Sequence, residues 1–275
     1  MINVSRRTAI RVILASLAAG IALPYLLIAN YYRTRNKSGK DSGMRGTEVR
    51  KGRVMLPLPR LRGDVSLEEA MANRRSLRDY LDEPLTIEEL SQILWAAYGI
   101  SETRWGFKTT PSAGATYPLV IYAVLSPGGV VVTKEPLAPG SYKYDPYTHS
   151  LTLVREGDLV DELYEAGLRQ SWIKDAPVNL VFTAIYERTT DYYGSRGVRY
   201  VHMEIGHAGQ NVYLQATALG LGTVAIGAFH DERVAKIIGA DPSERPLYIM
   251  PVGRPVKPYK LEQAELAKYI LSRRG

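Results

Sequence analysis

The sequence predicts an α+β body preceded by a separate N-terminal segment, and three observations carry that prediction. Apolar runs of strand length, "PLVIYAVL" at 118–125 and "VNLVFTAIY" at 178–186, alternate irregularly with capped amphipathic helices. The stretch "SYKYDPYTHSLTLV" at 141–154 is a hairpin turning at Asp145-Pro146, which brings antiparallel pairing into the sheet. A hydrophobic content of 45% over 275 residues is ample for one large core.

The N-terminal elements come first in the chain. "SRRTAIR" precedes eighteen uncharged residues, Val12 to Ala29, long enough to cross a bilayer as a helix that Pro24 would bend. Arg6-Arg7 after a serine and before an apolar stretch resemble a twin-arginine signal, although Ala9-Ile10 replace the usual Phe or Leu. No small-x-small cleavage site follows, so residues 1–30 are expected to stay as an uncleaved membrane anchor. Export by that route is the preferred reading, so the folded domain is expected outside the cytoplasm. Arg33, Arg35, Lys37 and Lys40, just after the apolar run, favour the opposite orientation by the positive-inside rule. Residues 31–60, rich in Arg, Lys, Gly and Ser, are expected to form a basic flexible tether, and 61–275 the folded domain.

Within that domain, "SLEEAMANR" opens with a capping box, Ser66 with Glu69. "TIEELSQILWAAYG" repeats it with Thr86 and Glu89, buries Ile87, Leu90, Ile93, Leu94 and Ala97, and stops at Gly99. The hairpin is followed by a helix from Asp158 and by the second strand. The longest helix spans about Gly197 to Leu219, with a core stripe at Val201, Ile205, Ala208, Val212 and Leu219. "GTVAI" (222–226) is a strand, "DERVAKIIG" a helix and "PLYIMPVG" (246–253) the last strand.

Charge and composition exclude several functions. Of 35 basic and 28 acidic residues, twelve basic and two acidic lie in positions 1–60, so the rest carries −3. A nucleic-acid-binding body needs a basic face, and none is in surplus here. The absence of cysteine excludes thiolate metal sites, iron–sulfur clusters and a Cys nucleophile. His202 and His207, five apart, do not share a helix face, so no metal site is expected; His149 and His230 are expected to be structural.

Four features carry chemistry. "NRRSLRDY" places Arg74, Arg75, Ser76 and Arg78 within five positions, and guanidinium forks with a hydroxyl match phosphate oxygens. "TTPSAGATYP" contains the small-residue loop Pro111, Ser112, Ala113 and Gly114, whose backbone could lie against a flat ring. The long helix tolerates Gly206 and Gly209 and carries the polar residues Glu204, His207, Gln210 and Asn211. In "GLGTVAIGAF", backbone N–H groups at Gly227 and Ala228 could face a cofactor.

Together these residues resemble the FMN-dependent nitroreductase family, most closely its SagB-type dehydrogenase branch, which includes azoline oxidases of peptide-modifying systems. The resemblance spans about residues 61–256, through "RRSLRDY", "PSAGATYPLVIYAV", "YKYDPYTHSL", "YYGSRGVRYVHMEIGHAGQNVYLQATALGLG", "AIGAF" and "LYIMPVGRP". It implies an α+β homodimer with a central, mostly antiparallel sheet flanked by helices, and FMN at the subunit interface. Arg74, Arg75, Ser76 and Arg78 would hold the phosphate, ribityl chain and pyrimidine edge, and Arg254 in "VGRP" would join the clamp. Pro111–Gly114 would come from the partner chain, and Gly227-Ala228 would lie beside the reactive ring nitrogen.

One departure matters. Azoline oxidases of this branch carry a Lys-Tyr pair where this chain has Tyr192-Tyr193, so a base near neutrality becomes a phenol of ordinary pKa about 10. Tyr193, with Tyr192 beside it, is then the candidate acid or base. The expected function is hydride transfer between flavin and a small-molecule or peptide-derived substrate or NAD(P)H. The alternatives are a membrane-anchored flavin protein that binds or senses without turnover, and an anchored binding module with no flavin.

Overall fold

The computed structural model describes residues 48–50 and 53–274. The expected membrane anchor and twin-arginine signal lie outside these residues. Among the described residues no helix is long and apolar enough to cross a membrane.

Eleven strands are described: β1 (Glu48–Arg50), β2 (Arg53–Met55), β3 (Leu85–Thr86), β4 (Leu119–Leu125), β5 (Val130–Val132), β6 (Glu135–Pro136), β7 (Gly140–Asp145), β8 (Ser150–Glu156), β9 (Val178–Ala184), β10 (Gly222–Thr223) and β11 (Arg245–Gly253). Eight form one sheet in the order β1-β2-β8-β7-β4-β9-β11-β10, antiparallel at every pairing. β3, β5 and β6 form a small separate sheet whose β3–β5 pair is parallel.

The helices are α1 (Leu67–Asn73), α2 (Ile87–Tyr98), α3 (Val160–Ala166), α4 (Ser171–Asp175), α5 (Glu187–Tyr193), α6 (Gly197–Ala218), α7 (Asp231–Ile238) and α8 (Gln263–Leu271). They cover both faces of the large sheet. Leu90 and Ile93 of α2 and Val201, Ile205 and Val212 of α6 pack with Leu119, Ile121, Leu180 and Phe182 on one face. Leu163 of α3, Ile173 of α4 and Val234 and Ile238 of α7 pack with Val120, Tyr122, Val124 and Val181 on the other. Strands β4 and β9 are therefore buried at every position, which is why their sequences are continuous apolar runs. Each such Leu, Ile or Phe contributes about 1.5–3 kcal/mol through burial.

The nitroreductase-like α+β fold expected from the sequence is the one observed. Several boundaries change. Residues 53–60, expected to belong to the tether, are part of the folded body, because β2 pairs with β8, Val54 and Leu56 alternate into the core, and the Arg60 N–H donates to Gln92 Oε1 at 2.8 Å. The α2 capping box is complete, whereas at α1 the Ser66 hydroxyl accepts from the Glu69 N–H at 3.1 Å. The helix expected from Asp158 breaks into α3 and α4 at Leu168 and Arg169, both at left-handed φ. In "GTVAI" only Gly222 and Thr223 pair as a strand; the Ala225 N–H turns to Tyr213 Oη at 2.8 Å and Ile226 bridges Ile249.

Candidate functional site

The arginine segment leaves α1 and is pressed against the end of the sheet. The Leu77 N–H donates to the Thr223 carbonyl at 3.0 Å, and Ser76 forms an isolated bridge with Thr223. Gly222 permits this approach, since a Cβ there would lie 3.0 Å from Leu77 Cβ and 3.3 Å from Pro255 Cβ. Tyr80 secures the far end of the segment, donating its phenol to the Leu77 carbonyl at 2.8 Å. Burial raises the Tyr80 pKa, so that phenol stays protonated.

The structure divides the four candidate arginines. Arg74 lies 5.3 Å from the Tyr213 ring centroid and Arg78 lies 5.3 Å from that of Trp172; the 74–78 segment with these two rings is termed the arginine recess. Ser76 Oγ is 2.9 Å from Tyr213 Oη. Arg75 instead donates to the carbonyls of Ala72 and Arg74 and stacks on Tyr259 at 3.8 Å, which ties down the end of α1. Arg254 is held by Glu83 at 3.2 Å and Glu89 at 2.8 Å, so its guanidinium braces the start of α2 rather than joining Arg74 and Arg78.

Two buried polar atoms without hydrogen-bond partners flank this segment: Trp172 Nε1, beside Arg78, and Thr223 Oγ1, beneath Ser76. Unmatched buried polar atoms are costly. The exposed Gly227 and Ala228 follow directly, and the Ala228 carbonyl accepts from Gln170 Nε2 at 3.1 Å. Guanidinium groups and a hydroxyl form a donor set suited to an anion carrying carbonyl and phosphate oxygens.

The loop Pro111–Gly114 has different neighbours. The Ser112 hydroxyl bonds the Glu204 carboxylate and accepts from the Tyr117 N–H at 2.9 Å. Gly114 has φ +58°, and a Cβ there would lie 2.7 Å from Tyr193 Oη. Tyr193 packs edge-on against Tyr192 and Tyr200, while Tyr192 is 61% exposed. Thus Tyr193, of the two candidates, stands against the loop. Of the large aromatics nearby, Trp172 lies beside Arg78, whereas Trp105 and Phe107 lie in the segment before the loop.

Helix α6 carries both groups. Glu204 and Tyr213 are nine residues apart, roughly 13 Å along the axis, and leave opposite sides of the helix at about 100° per residue. The loop and the arginine recess therefore face away from each other across α6 within one chain. Gly209 lets α6 approach the sheet, because a Cβ would meet Tyr248 at 3.4 Å, whereas Gly206 opens into empty space.

Sequence reading missed a buried cluster under the loop. Lys108 Nζ lies 3.9 Å, 4.7 Å and 5.4 Å from the ring centroids of Tyr98, Tyr117 and Tyr147. Burial and the nearby Arg188 push its pKa down to about 7 against the pull of Glu204 and Asp145. Glu204, 2% exposed, accepts from Tyr98 Oη at 2.5 Å. Burial raises the Glu204 carboxyl, opposed by hydrogen bonds from Ser112 and Tyr98 and by Lys108. Burial and Glu204 hold the Tyr98 phenol well above its ordinary range. One hint was present: a glutamate on the rim of the apolar stripe of α6.

Several known proteins are similar to this chain. A protein of Methanocaldococcus jannaschii that bears the nitroreductase name is 50% identical over 194 residues, 70% of this chain and 93% of the relative. A trifolitoxin operon protein of Rhizobium leguminosarum bv. trifolii is 27% identical over 224 residues, 76% of this chain and 60% of that protein. A crystal structure from Ralstonia eutropha, also named as a nitroreductase, superposes with a TM-score of 0.65 at 26% identity, covering 80% of this chain and 98% of its own. With residues 71–254 matching the Nitroreductase family model, and with the antiparallel sheet and long central helix described above, this chain belongs to that family of oxidoreductases.

Proposed function

We propose that the chain is an FMN-dependent oxidoreductase that acts as a homodimer. The observation that carries this reading is the set of donors on Arg74, Ser76 and Arg78, brought together at the end of the sheet, with Arg74 over the Tyr213 ring and Arg78 over the Trp172 ring. An FMN phosphate, ribityl chain and pyrimidine edge would supply acceptors for these donors. Gly227 and Ala228, with no bulky side chain, would lie under the ring. Bound FMN supplies two-electron hydride chemistry, in one half-reaction with a donor and another with an acceptor.

The chain's own residues fix the remaining requirements. Because the Pro111–Gly114 loop and the arginine recess face opposite sides of α6, a ligand touching both needs the loop of a second copy. Arg74 and Arg78 hold the anionic end and favour negative charge on the pyrimidine edge. Tyr193, whose hydroxyl lies against Gly114, is placed to hold or give a proton at the loop. The donor is NAD(P)H or an organic molecule, and the acceptor a small-molecule or peptide-derived substrate. The SagB-type branch is the finer form of this reading. The apolar residues 12–29 would anchor the domain at a membrane, on its outer side if the twin-arginine route is used.

Purification of the full-length chain with identification of its bound cofactor tests the reading. A yellow dimer releasing FMN is expected; a colourless monomer that takes up no FMN overturns it. Tyr192-Tyr193 in place of Lys-Tyr favours a second reading, a flavin protein that binds without turnover. Steady turnover with any hydride donor and acceptor eliminates that second reading.

A further inference from the structure

The loop of residues 112–117 holds three left-handed residues, Gly114, Ala115 and Tyr117, at φ +58°, +53° and +46°. Non-glycine residues adopt that conformation only where their surroundings impose it. Here the imposing structure is a hydrogen-bonded ring of side chains closed through the backbone of residues 117–119. Glu204 bonds Ser112 and Tyr98; Ser112 accepts from the Tyr117 N–H; Tyr117 Oη accepts from the Lys108 N–H at 3.1 Å; Tyr98 Oη accepts from the Leu119 N–H at 3.2 Å. Lys108 Nζ lies against the Tyr98 and Tyr117 rings that belong to this network, and the residue is 9% exposed. Its charged and titratable neighbours are Arg188 on α5, Glu204 on α6 and Asp145 at the end of β7, together with the phenols of Tyr98, Tyr117 and Tyr147.

We propose that Lys108 is a proton-operated latch on the 112–117 loop: as a neutral amine it stays in its tyrosine cage with the loop shut, and taking up a proton favours lifting of the loop and hydration of the ammonium. It is a positioning residue, acting on whatever the loop meets. Only the identity of that ligand rests on the flavin reading above.

The direction of the effect follows from linkage. With the loop shut the amine titrates near 7, whereas in an open loop it regains its ordinary 10.5. Between these values opening takes up a proton, so the shut form gains about tenfold per pH unit as pH rises. Below about 7 both forms are protonated and the dependence stops. Glu204 acts with the opposite sign and at lower pH, above its ordinary value of 4.5.

Hydrogen exchange on the full-length, flavin-free chain tests this. The N–H groups of Lys108, Tyr117 and Leu119 report the ring, and amides of β9 report global unfolding. Once intrinsic exchange rates are divided out, protection of the three amides should rise about tenfold from pH 7.5 to 8.5. Their protection should also stay below that of β9. Lys108→Arg, which stays charged throughout, and Lys108→Met, which cannot titrate, should both give flat profiles. Glu204→Gln should keep the rise. A flat wild-type profile, a rise that persists in Lys108→Met, or protection equal to that of β9 would each overturn the latch. The wild-type profile decides alone if a variant fails to fold. Adding FMN should raise protection of the same amides; failure of that arm alone, with the rise intact, counts against the flavin reading and leaves the latch standing.

Discussion

Replacing Tyr213 with phenylalanine removes one oxygen from the centre of the arginine recess. That oxygen accepts from the Ala225 N–H at 2.8 Å and bonds Ser76 Oγ at 2.9 Å, so it ties the 74–78 segment to the loop leading into Gly227. The two losses are unequal. Ser76 is exposed and its hydroxyl turns to water, costing about 0.5 kcal/mol, while the half-buried Ala225 N–H is left without an acceptor, at about 1–3 kcal/mol. The sum is about 2 kcal/mol, close to a thirtyfold fall in the folded-to-unfolded ratio and, for a chain of this size, a Tm lower by about 4–8 °C. The ring face under Arg74 survives, so the cation–π contact is unchanged. Urea denaturation of the flavin-free chain measures the stability loss. Quenching of FMN fluorescence measures affinity, expected to weaken about tenfold as the two halves of the recess separate. A loss under about 0.5 kcal/mol with unaltered FMN affinity would refute the claim that this phenol holds the recess together.

Three further outcomes follow from the same geometry. Arg74→Gln and Arg78→Gln should each weaken FMN at least about tenfold and flatten its salt dependence, whereas Arg254→Gln, already paired with two carboxylates, should shift affinity less than about threefold and cost about 1–3 kcal/mol of stability instead; titrations at two salt concentrations separate the cases. Gly114→Ala should destabilise by about 1–2 kcal/mol through its φ of +58°, and push Tyr193 Oη away from a Cβ that would lie 2.7 Å from it; a gain in urea stability would contradict the placement. His149, bonded to Ser91, Tyr144 and the Pro57 carbonyl, is held below its ordinary 6.5 by burial. The unfolded chain therefore takes up a proton first, and stability falls as pH drops from 6.5 toward the folded value. His149→Gln should flatten that stretch of a Tm-against-pH curve, and an undiminished slope would assign the loss elsewhere.

The elements legible in the sequence were those whose burial repeats with a period. Ile87, Leu90, Ile93, Leu94 and Ala97 mark one helical face, and β4 and β9 are apolar throughout because helices cover both sides of the sheet. Elements stabilised by partners remote in sequence were not legible. β1 and β2 sit in a basic, glycine-containing stretch that reads as a tether, and only pairing with β8 nearly a hundred residues later makes it sheet. β10 is shorter than "GTVAI" suggests because Tyr213 takes the Ala225 N–H that a longer strand would need.

The site divides along the same line. Arg74, Ser76, Arg78 and the 111–114 loop announce themselves by local composition. Whether a given guanidinium is available does not, because Glu83 and Glu89 claim Arg254, and the carbonyls of Ala72 and Arg74 claim Arg75. Lys108 is a single basic residue in an unpatterned stretch, and its cage is assembled from positions 98, 117 and 147. Helix α6 held the readable clue. At about 100° per residue, Glu204, Asn211 and Gln215 fall within roughly 40° of one another, on the edge of the stripe made by Val201, Ala208 and Val212. All three bond inward, to Tyr98, Thr110 and Gln92, while His207 and Gln210 are exposed. A polar stripe bordering an apolar one on so long a helix has a cost that buried hydrogen bonds must offset. The polar residues named on α6 are therefore of two kinds: an inward file, Glu204, Asn211 and Gln215, hydrogen-bonded within the chain, and an outward set, His207 and Gln210, exposed beside the open Gly206.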